Sequence, residues 1–282
     1  MDFRPTQTAH DRLATYAGLF QKCFPGASSL TPDYLSWLYA DNPAGDVVGF
    51  DAWDGDNLAA HYVCVPANAT VNGRLSRVLL SLNTATHPDY QGKGLFTKLA
   101  EATYQRGAGD GFDGVYGVAN ANSTPGFVRK LGFELVSPLD ARIGLGSITR
   151  ADARTATPSF ERVWDPESLA WRVANPARPY RLVRCGTGKI GAEAATGKPG
   201  LVAWAELLQQ TAGQPSLAGA SLAMRLHLGL RPRRESRAGV WIDVPSRFRA
   251  SPLNLIFRPL VDVSERIDKD NISLGQLDFD AF

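Results

Sequence analysis

The chain has 282 residues, 44% of them hydrophobic and 21% charged, ordinary globular proportions that exclude a disordered or fibrous protein. A prior of about 100–200 residues per domain favours two domains. Thirty Lys and Arg against 28 Asp and Glu leave a formal charge of +2, which gives no whole-molecule field for nucleic acid.

In chain order, Leu58 to Val65 and Val78 to Thr86 read as β-segments joined through a turn at Asn72-Gly73, a hairpin pattern. A glycine-containing loop, Gln91-Gly92-Lys93-Gly94, precedes Leu95, Phe96, Leu99, Ala102 and Thr103 at helical spacing. That helix is expected to end near Gly107 and Gly109. A short strand over Gly114 to Ala119 comes next, then a helix from about Gly126 to Leu131 that stops at Gly132. From Ser147 to Pro158 the composition turns to Ser, Thr, Ala and Arg without apolar period, which reads as a linker. The expected division is therefore residues 1–147, a linker at 148–158, and residues 159–282.

A faint internal repeat supports that division. Tyr34-Leu35-Ser36-Trp37-Leu38-Tyr39-Ala40-Asp41-Asn42-Pro43 resembles Ser168-Leu169-Ala170-Trp171-Arg172-Val173-Ala174-Asn175-Pro176. A second match sets a helix ending in Leu131-Gly132-Phe133 against one at Ala223 to Leu226 ending in Leu228-Gly229-Leu230. Chance is the competing account, since Asn-Pro and Leu-Gly are common turn and cap pairs.

Cys23, Cys64 and Cys185 are widely spaced and form no CxxC pair, so they read as reduced thiols in a cytosol. The first residues carry no signal-type apolar stretch, and no run approaches the ~18 apolar residues of a membrane span. A cytoplasmic protein without membrane or nucleic-acid partners is expected. His10, His61, His87 and His227 lie far apart with no Cys at ligand spacing, so no metal is expected.

The loop from Gln91 to Phe96 carries the chemical signal. A strand feeding a glycine turn and a helix start aims several unpaired N–H groups one way, where the helix dipole adds positive potential. Lys93 and Lys98 stand there with no acid between Gln91 and Ala100, although a first turn usually favours Asp or Glu. An anion cradle and a plain left-handed turn with exposed lysines both fit. Thr97 occupies the place of the third glycine of a dinucleotide fingerprint, and no GxxxxGK[ST] occurs, so Rossmann and P-loop sites are unsupported.

The run Thr84-Ala85-Thr86-His87-Pro88-Asp89-Tyr90-Gln91-Gly92-Lys93-Gly94-Leu95-Phe96-Thr97-Lys98-Leu99 resembles the acyl-CoA motif [RQ]-x-x-G-x-[GA] of the GNAT superfamily of N-acyltransferases. Gln91 and Gly94 match, and Phe96 replaces the final Gly or Ala. Asn122, followed by Arg129-Lys130-Leu131-Gly132-Phe133, is similar to that superfamily's Asn…YxKLGF segment. The resemblance covers about residues 1–147 and implies an α/β (α+β) mixed-sheet fold, followed by a second, degenerate GNAT-like domain that helps to form the acceptor site. It also implies acetyl-CoA or another acyl-CoA as co-substrate. The backbone of Thr84, Ala85 and Thr86 would pair with the pantetheine arm. Amides of Gln91, Gly92, Lys93, Gly94, Leu95, Phe96 and Thr97 would hold the pyrophosphate, with Asn122 and Phe127 near the thioester.

Two departures bear on catalysis. The tyrosine that often serves as general acid falls at Val128, and the strand glutamate base falls near Leu80 or Ser81. His61, Ser81 and Asn83 remain as catalytic candidates. A lone His in Ala59-Ala60-His61-Tyr62-Val63 is more often structural than a base. Cys64 lacks an activating partner in the pattern, so the acyl group is expected to pass directly to the amine, without an acyl-enzyme.

Trp37, Tyr39, Tyr116, Trp171 and Arg172 are acceptor-binding candidates, with core packing as the competing account for each. The cluster Arg225, Arg231, Arg233, Arg234 and Arg237 is either a solvated loop or a phosphate contact. The arrangement resembles bacterial GNAT enzymes that acylate amino sugars carried on nucleotides. Its alternatives are an antibiotic or peptide amine acetyltransferase, or a CoA-binding regulatory module without turnover.

Overall fold

The computed structural model describes residues 1–149, 157–186, 189–208, 216–233, 238–249, 251–262 and 265–279. In chain order it runs β1 (Asp2–Pro5), α1 (His10–Cys23), α2 (Pro32–Tyr39), β2 (Val48–Asp54), β3 (Asn57–Val71), β4 (Arg74–Thr86), α3 (Leu95–Gly109), β5 (Gly114–Asn120), α4 (Thr124–Lys130) and β6 (Glu134–Pro138). There follow β7 (Asp140–Leu145), β8 (Phe160–Arg162), α5 (Pro166–Val173), β9 (Arg181–Arg184), β10 (Lys189–Ala195), β11 (Leu201–Leu208), β12 (Met224–Gly229), β13 (Val240–Asp243), β14 (Leu253–Pro259) and β15 (Ile272–Ser273). This is a mixed α/β fold.

The chain forms two compact units that each draw on several stretches. The first comprises Met1–Ala67, Arg77–Leu135 and Ile256–Glu265; the second comprises Asn68–Ser76, Val136–Leu255 and Arg266–Phe282. A single cut near 147 does not describe this division, because a late segment belongs to the first unit. Part of the predicted linker, 150–156, lies outside the described residues.

In the first unit β1, β2 and β3 run antiparallel, and β4 lies parallel to β5. The β3–β4 turn is a hairpin as predicted. Asn72 and Gly73 both take positive φ, 48° and 81°, the primed geometry that matches strand twist. Residues of β14 flank β5 closely enough that a Cβ on Gly114 would meet the Phe257 ring at 2.8 Å, so only glycine fits there. Helix α3 buries Leu95, Leu99, Ala100 and Tyr104 in a core shared with Tyr62, Leu79, Val115, Phe127, Phe133 and Ile256.

The second unit holds a six-stranded sheet in the order β13-β7-β12-β11-β10-β9, in which β11 and β12 run parallel and the other four neighbouring pairs antiparallel. The helix predicted at 223–226 is instead strand β12. Its burial alternates, with Arg225, His227 and Gly229 inward, and this period of two overrides a Leu-Gly ending that resembled a helix cap. The first half of the repeat does correspond locally. In α2 the Thr31 hydroxyl accepts from the Tyr34 N–H at 3.2 Å, and in α5 the Asp165 carboxylate accepts from the Ser168 N–H at 2.8 Å. Both helices have Pro in the first turn. Beyond each, an Asn side-chain oxygen accepts from the N–H two residues on, at Asn42 and Asn175.

Buried Glu206 anchors the second unit's core. It accepts from Ile148 N–H at 2.5 Å, Ser147 Oγ at 2.9 Å and Trp204 Nε1 at 2.9 Å, with Lys189 Nζ at 3.8 Å. Removing the carboxylate takes the acceptor from two buried donors, the Ile148 N–H and the Trp204 Nε1–H. Glu206→Ala should therefore cost about 3–5 kcal/mol, read as a lowered midpoint in urea unfolding followed by tryptophan fluorescence.

Candidate active site

The β4–β5 ladder stops at Ser81 opposite Gly117. Beyond that pair the two chains line opposite sides of a cavity of 540 Å³, with Ser81, Leu82, Asn83 and Thr84 on one wall and Gly117, Val118, Ala119 and Asn120 on the other. That volume is in the usual range for a small-molecule site. Phe24, Phe96, Phe127 and Ile256 supply apolar surface, and Asn122 and Ser123 add polar groups at one end. No ionisable side chain lines it among the described residues.

Phe96, in the first turn of α3, connects the cavity to the glycine loop. Its ring packs edge-on to Phe127 at 5.2 Å and to Tyr62 at 5.9 Å. The residue that departs from the family pattern thus serves as wall. Leu95 is buried, so it faces the core and offers only its backbone. Gly92 and Gly94 have φ of 76° and 71°, and a Cβ on either would meet nothing within 4 Å. The space over the loop is open, and no side chain caps the helix at Gly94. The amides of its first turn have no intrahelical partners and suit a phosphate. Lys93 Nζ lies 4.5 Å from the Tyr90 ring centroid. The loop fits a pyrophosphate.

The other expected CoA contacts divide. Thr84 lines the cavity, Ala85 is buried, and the Thr86 carbonyl accepts from the Cys23 thiol at 3.3 Å. Asn122 lines the cavity without capping α4. The turn before that helix is held instead by Asn120, whose side-chain oxygen accepts from the N–H groups of Asn122 and Ser123, each at 3.0 Å. Val128 is exposed while Phe127 faces the cavity, so no hydroxyl stands where the family's acid would.

Of the catalytic candidates, Ser81 and Asn83 line the cavity and His61 does not. His61 is fully buried, which rules out a direct base contact. Its Nδ1 lies 2.6 Å from Asp51 Oδ1 and its Nε2 2.9 Å from the Tyr39 hydroxyl, which accepts from Asn83 Nδ2 at 3.1 Å. Ser81 Oγ lies 2.7 Å from the Tyr62 hydroxyl, itself 2.6 Å from the Tyr104 hydroxyl. Burial pushes the phenols of Tyr39, Tyr62 and Tyr104 well above their ordinary value and keeps them protonated. Two hydrogen-bonded lines thus end at the cavity, one at Ser81 and one at Asn83.

Asp51 was missed by sequence reasoning. Its signal was a carboxylate inside the apolar strand Val48–Asp54, and Asp51 is the register partner of His61 in β3.

The acceptor candidates fall elsewhere. Trp37, Tyr39 and Tyr116 are buried, and none of the five lines the cavity. Arg172 is 3% exposed and donates to the carbonyls of Leu277 at 2.9 Å and Phe279 at 3.2 Å, which makes it a core tie in its unit; Trp171 is half-buried. In the arginine cluster, Arg225 is buried and donates to the Gly146 carbonyl at 2.7 Å. Arg231 donates to the Glu206 carbonyl at 3.1 Å, and Arg233 pairs with Asp270 at 3.0 Å. Arg234 and Arg237 lie outside the described residues.

Residues 4–136 match the family described as acetyltransferase (GNAT) domain. This segment is a GNAT acetyltransferase domain. The GNAT domain is an acyl-CoA-dependent N-acyltransferase, with acetyl-CoA as the co-substrate of its family. No curated protein matches the chain. Solved structures with the same fold include GCN5-related N-acetyltransferases from Anabaena variabilis (10% identity, TM-score 0.58, covering 92% of this chain and 73% of that one) and from Kribbella flavida (12%, 0.58, 92% and 72%). Eis1 from Mycobacterium abscessus is similar to the same extent, at 12% identity and a TM-score of 0.56 over 92% of this chain and 74% of that one. At these identities the likeness is one of fold. Among the described residues no helix is long and apolar enough to cross a membrane, and no group of His, Cys, Asp and Glu is placed to hold a metal.

Burial pushes the Cys64 thiol up to about 12, which keeps it protonated at pH 8. Iodoacetamide at pH 8 should leave Cys64 unmodified in the folded GNAT domain, as read by peptide mass spectrometry. Cys64→Ala should form no less N-acyl product than about half the parent rate, and an acyl group trapped on Cys64 would contradict direct transfer.

Proposed function

We propose that the protein transfers an acyl group from acyl-CoA directly to a primary amine in the cavity between β4 and β5. The observation that carries this reading is the end of the ladder at Ser81 and Gly117, beside an uncapped helix start with two positive-φ glycines. The parted strands leave backbone groups for the pantetheine amides, and the loop amides from Gln91 to Thr97 hold the pyrophosphate. Asn122 and Phe127 flank the thioester end.

The amine nitrogen attacks the thioester carbon, the C–S bond breaks, and the acyl group moves to nitrogen. CoA leaves as the thiol, taking up in net terms the proton that the amine releases. Rate comes from positioning and from N–H donors on the tetrahedral oxyanion. Ser81 and Asn83 are polar groups at the parting of the strands, and His61 stands behind Asn83 through Tyr39.

The acceptor we propose is an amino sugar, carried on a nucleotide. Its support is the sequence resemblance together with a lining of amides and hydroxyls, Ser81, Asn83, Thr84, Asn120, Asn122 and Ser123, without a carboxylate. Such a lining suits a polyhydroxylated acceptor and gives a polycation nothing to pair with. We propose also that residues 159–282 descend from a duplicated GNAT-like unit without a CoA loop, as the matched caps of α2 and α5 support.

Gly94→Asp tests the CoA assignment. Asp tolerates left-handed backbone better than most residues, so the fold should persist while its charge meets the pyrophosphate. Calorimetry should show CoA affinity falling at least 100-fold, and unchanged affinity would defeat the assignment. For the acceptor, thiol release and product mass should be followed with acetyl-CoA and a UDP-linked amino sugar, an aminoglycoside and a peptide amine. Turnover is expected with the first; turnover confined to either of the others would replace it, and CoA binding without turnover on any would favour the regulatory reading.

A further inference from the structure

The cavity offers an incoming amine no ionisable partner among its described lining residues, yet the nitrogen lone pair must be aimed at the thioester carbon. The buried line behind Asn83 settles what that residue presents. Its proton directions can be worked out from the far end, where Tyr16 and Asp51 meet.

The Tyr16 oxygen accepts from the backbone N–H of Gln7 at 3.1 Å, so its own proton goes to Asp51 Oδ2 at 2.6 Å. Thr6 Oγ1 donates to Asp51 Oδ1 at 3.2 Å. Asp51 therefore accepts on both oxygens, and His61 must bring a proton on Nδ1 to stand 2.6 Å away. We take the ring as uncharged, and an imidazole with its one proton there has a bare Nε2. That nitrogen takes the Tyr39 O–H, which leaves the Tyr39 oxygen only an acceptor's role toward Asn83. Asn83 must then turn its NH₂ inward to Tyr39. The opposite amide orientation needs the Tyr39 proton to point at Asn83 and a proton on Nε2 of His61. In the neutral ring, Nδ1 and the carboxylate would then face each other as two acceptors.

With its NH₂ committed inward, Asn83 has its carbonyl oxygen left for the cavity that it lines. Its backbone supports the same placement: φ is +50° at the point where β4 leaves β5, a conformation Asn adopts more readily than most residues. We infer that Asn83 Oδ1 accepts a hydrogen bond from the attacking amine and orients its lone pair, with Tyr39, His61 and Asp51 as positioning residues that fix the amide. The inference rests on the acyl-transfer reading. Asn83 neither takes nor gives a proton in this role.

The amide orientation is tested without any acceptor, by ¹⁵N NMR of the histidine rings in the full chain, with His61 assigned by its loss in His61→Gln. A neutral His61 protonated on Nδ1 is expected; an imidazolium or an Nε2–H tautomer would overturn the inference. For the orienting role, the probe is benzylamine with acetyl-CoA. In the presence of CoA, benzylamine should shift the Asn83 side-chain amide signal, and no shift counts against it. Asn83→Gly, which keeps the positive φ without strain, should lower kcat at least 10-fold with KM for acetyl-CoA within about 2-fold. Tyr39→Phe should do the same, and the double variant should be no slower than Asn83→Gly alone. Multiplied losses would make Tyr39 a structural residue and reject the coupling. Should Tyr39→Phe fail to fold, the NMR and Asn83→Gly results decide. Failure of CoA to bind the parent protein defeats the acyl-transfer reading instead, and is distinguishable because the His61 tautomer does not depend on it.

Discussion

The first unit is organised around a pair of parallel strands that stop bonding to each other. Up to Ser81 and Gly117 the backbone of β4 and β5 is mutually satisfied, and past that point the facing N–H and C=O groups need other partners. A sheet that parts in its middle would close again if nothing held it open. Here aromatic packing does so: Phe96, Phe127 and Phe133 meet edge to face with Tyr62 and Tyr104 beneath them. The opening is thus a property of the core, and the polar groups at its apex are held by side chains that solvent does not reach.

Those two lines of buried polar groups differ in kind. Ser81, Tyr62 and Tyr104 are three hydroxyls, each able to donate or accept, so their proton directions are not fixed by the set itself. The line from Asn83 to Asp51 ends in a carboxylate, which accepts from Thr6 and Tyr16 and faces His61 Nδ1. A low-dielectric surrounding makes the penalty for a wrong orientation large. His61 stacks on Tyr16 with ring centroids 4.2 Å apart.

Sequence reasoning succeeded where structure is local. Asn72-Gly73 announces its turn, Gln91 to Gly94 announces a loop before α3, and Gly132 ends the segment after α4. It failed where distant residues decide. Leu-Gly at 228–229 could not reveal that β7 and β11 flank Met224–Gly229 on both sides and make it a strand. Trp37 and Arg172 have the chemistry of acceptor contacts, and only burial shows them committed to their cores. His61 was visible as an oddity in an apolar strand, but its meaning required Asp51, which lies ten residues away and becomes its neighbour only through the register of β2 and β3.

The place of the late segment Ile256–Glu265 in the first unit has a consequence for how the chain is made. β5 and Gly114 lie against Phe257, more than 140 positions later in the chain. Contacts of such long sequence separation slow folding, since a large loop must close before they form. On the ribosome, the first unit cannot finish its sheet until residues Ile256–Glu265 have been synthesised. During that interval one side of β5 stays an unpaired edge, the kind of surface on which nascent chains aggregate. The acyltransferase module therefore completes only after most of its neighbour has emerged, and just ahead of that neighbour's own closing segment, Arg266–Phe282.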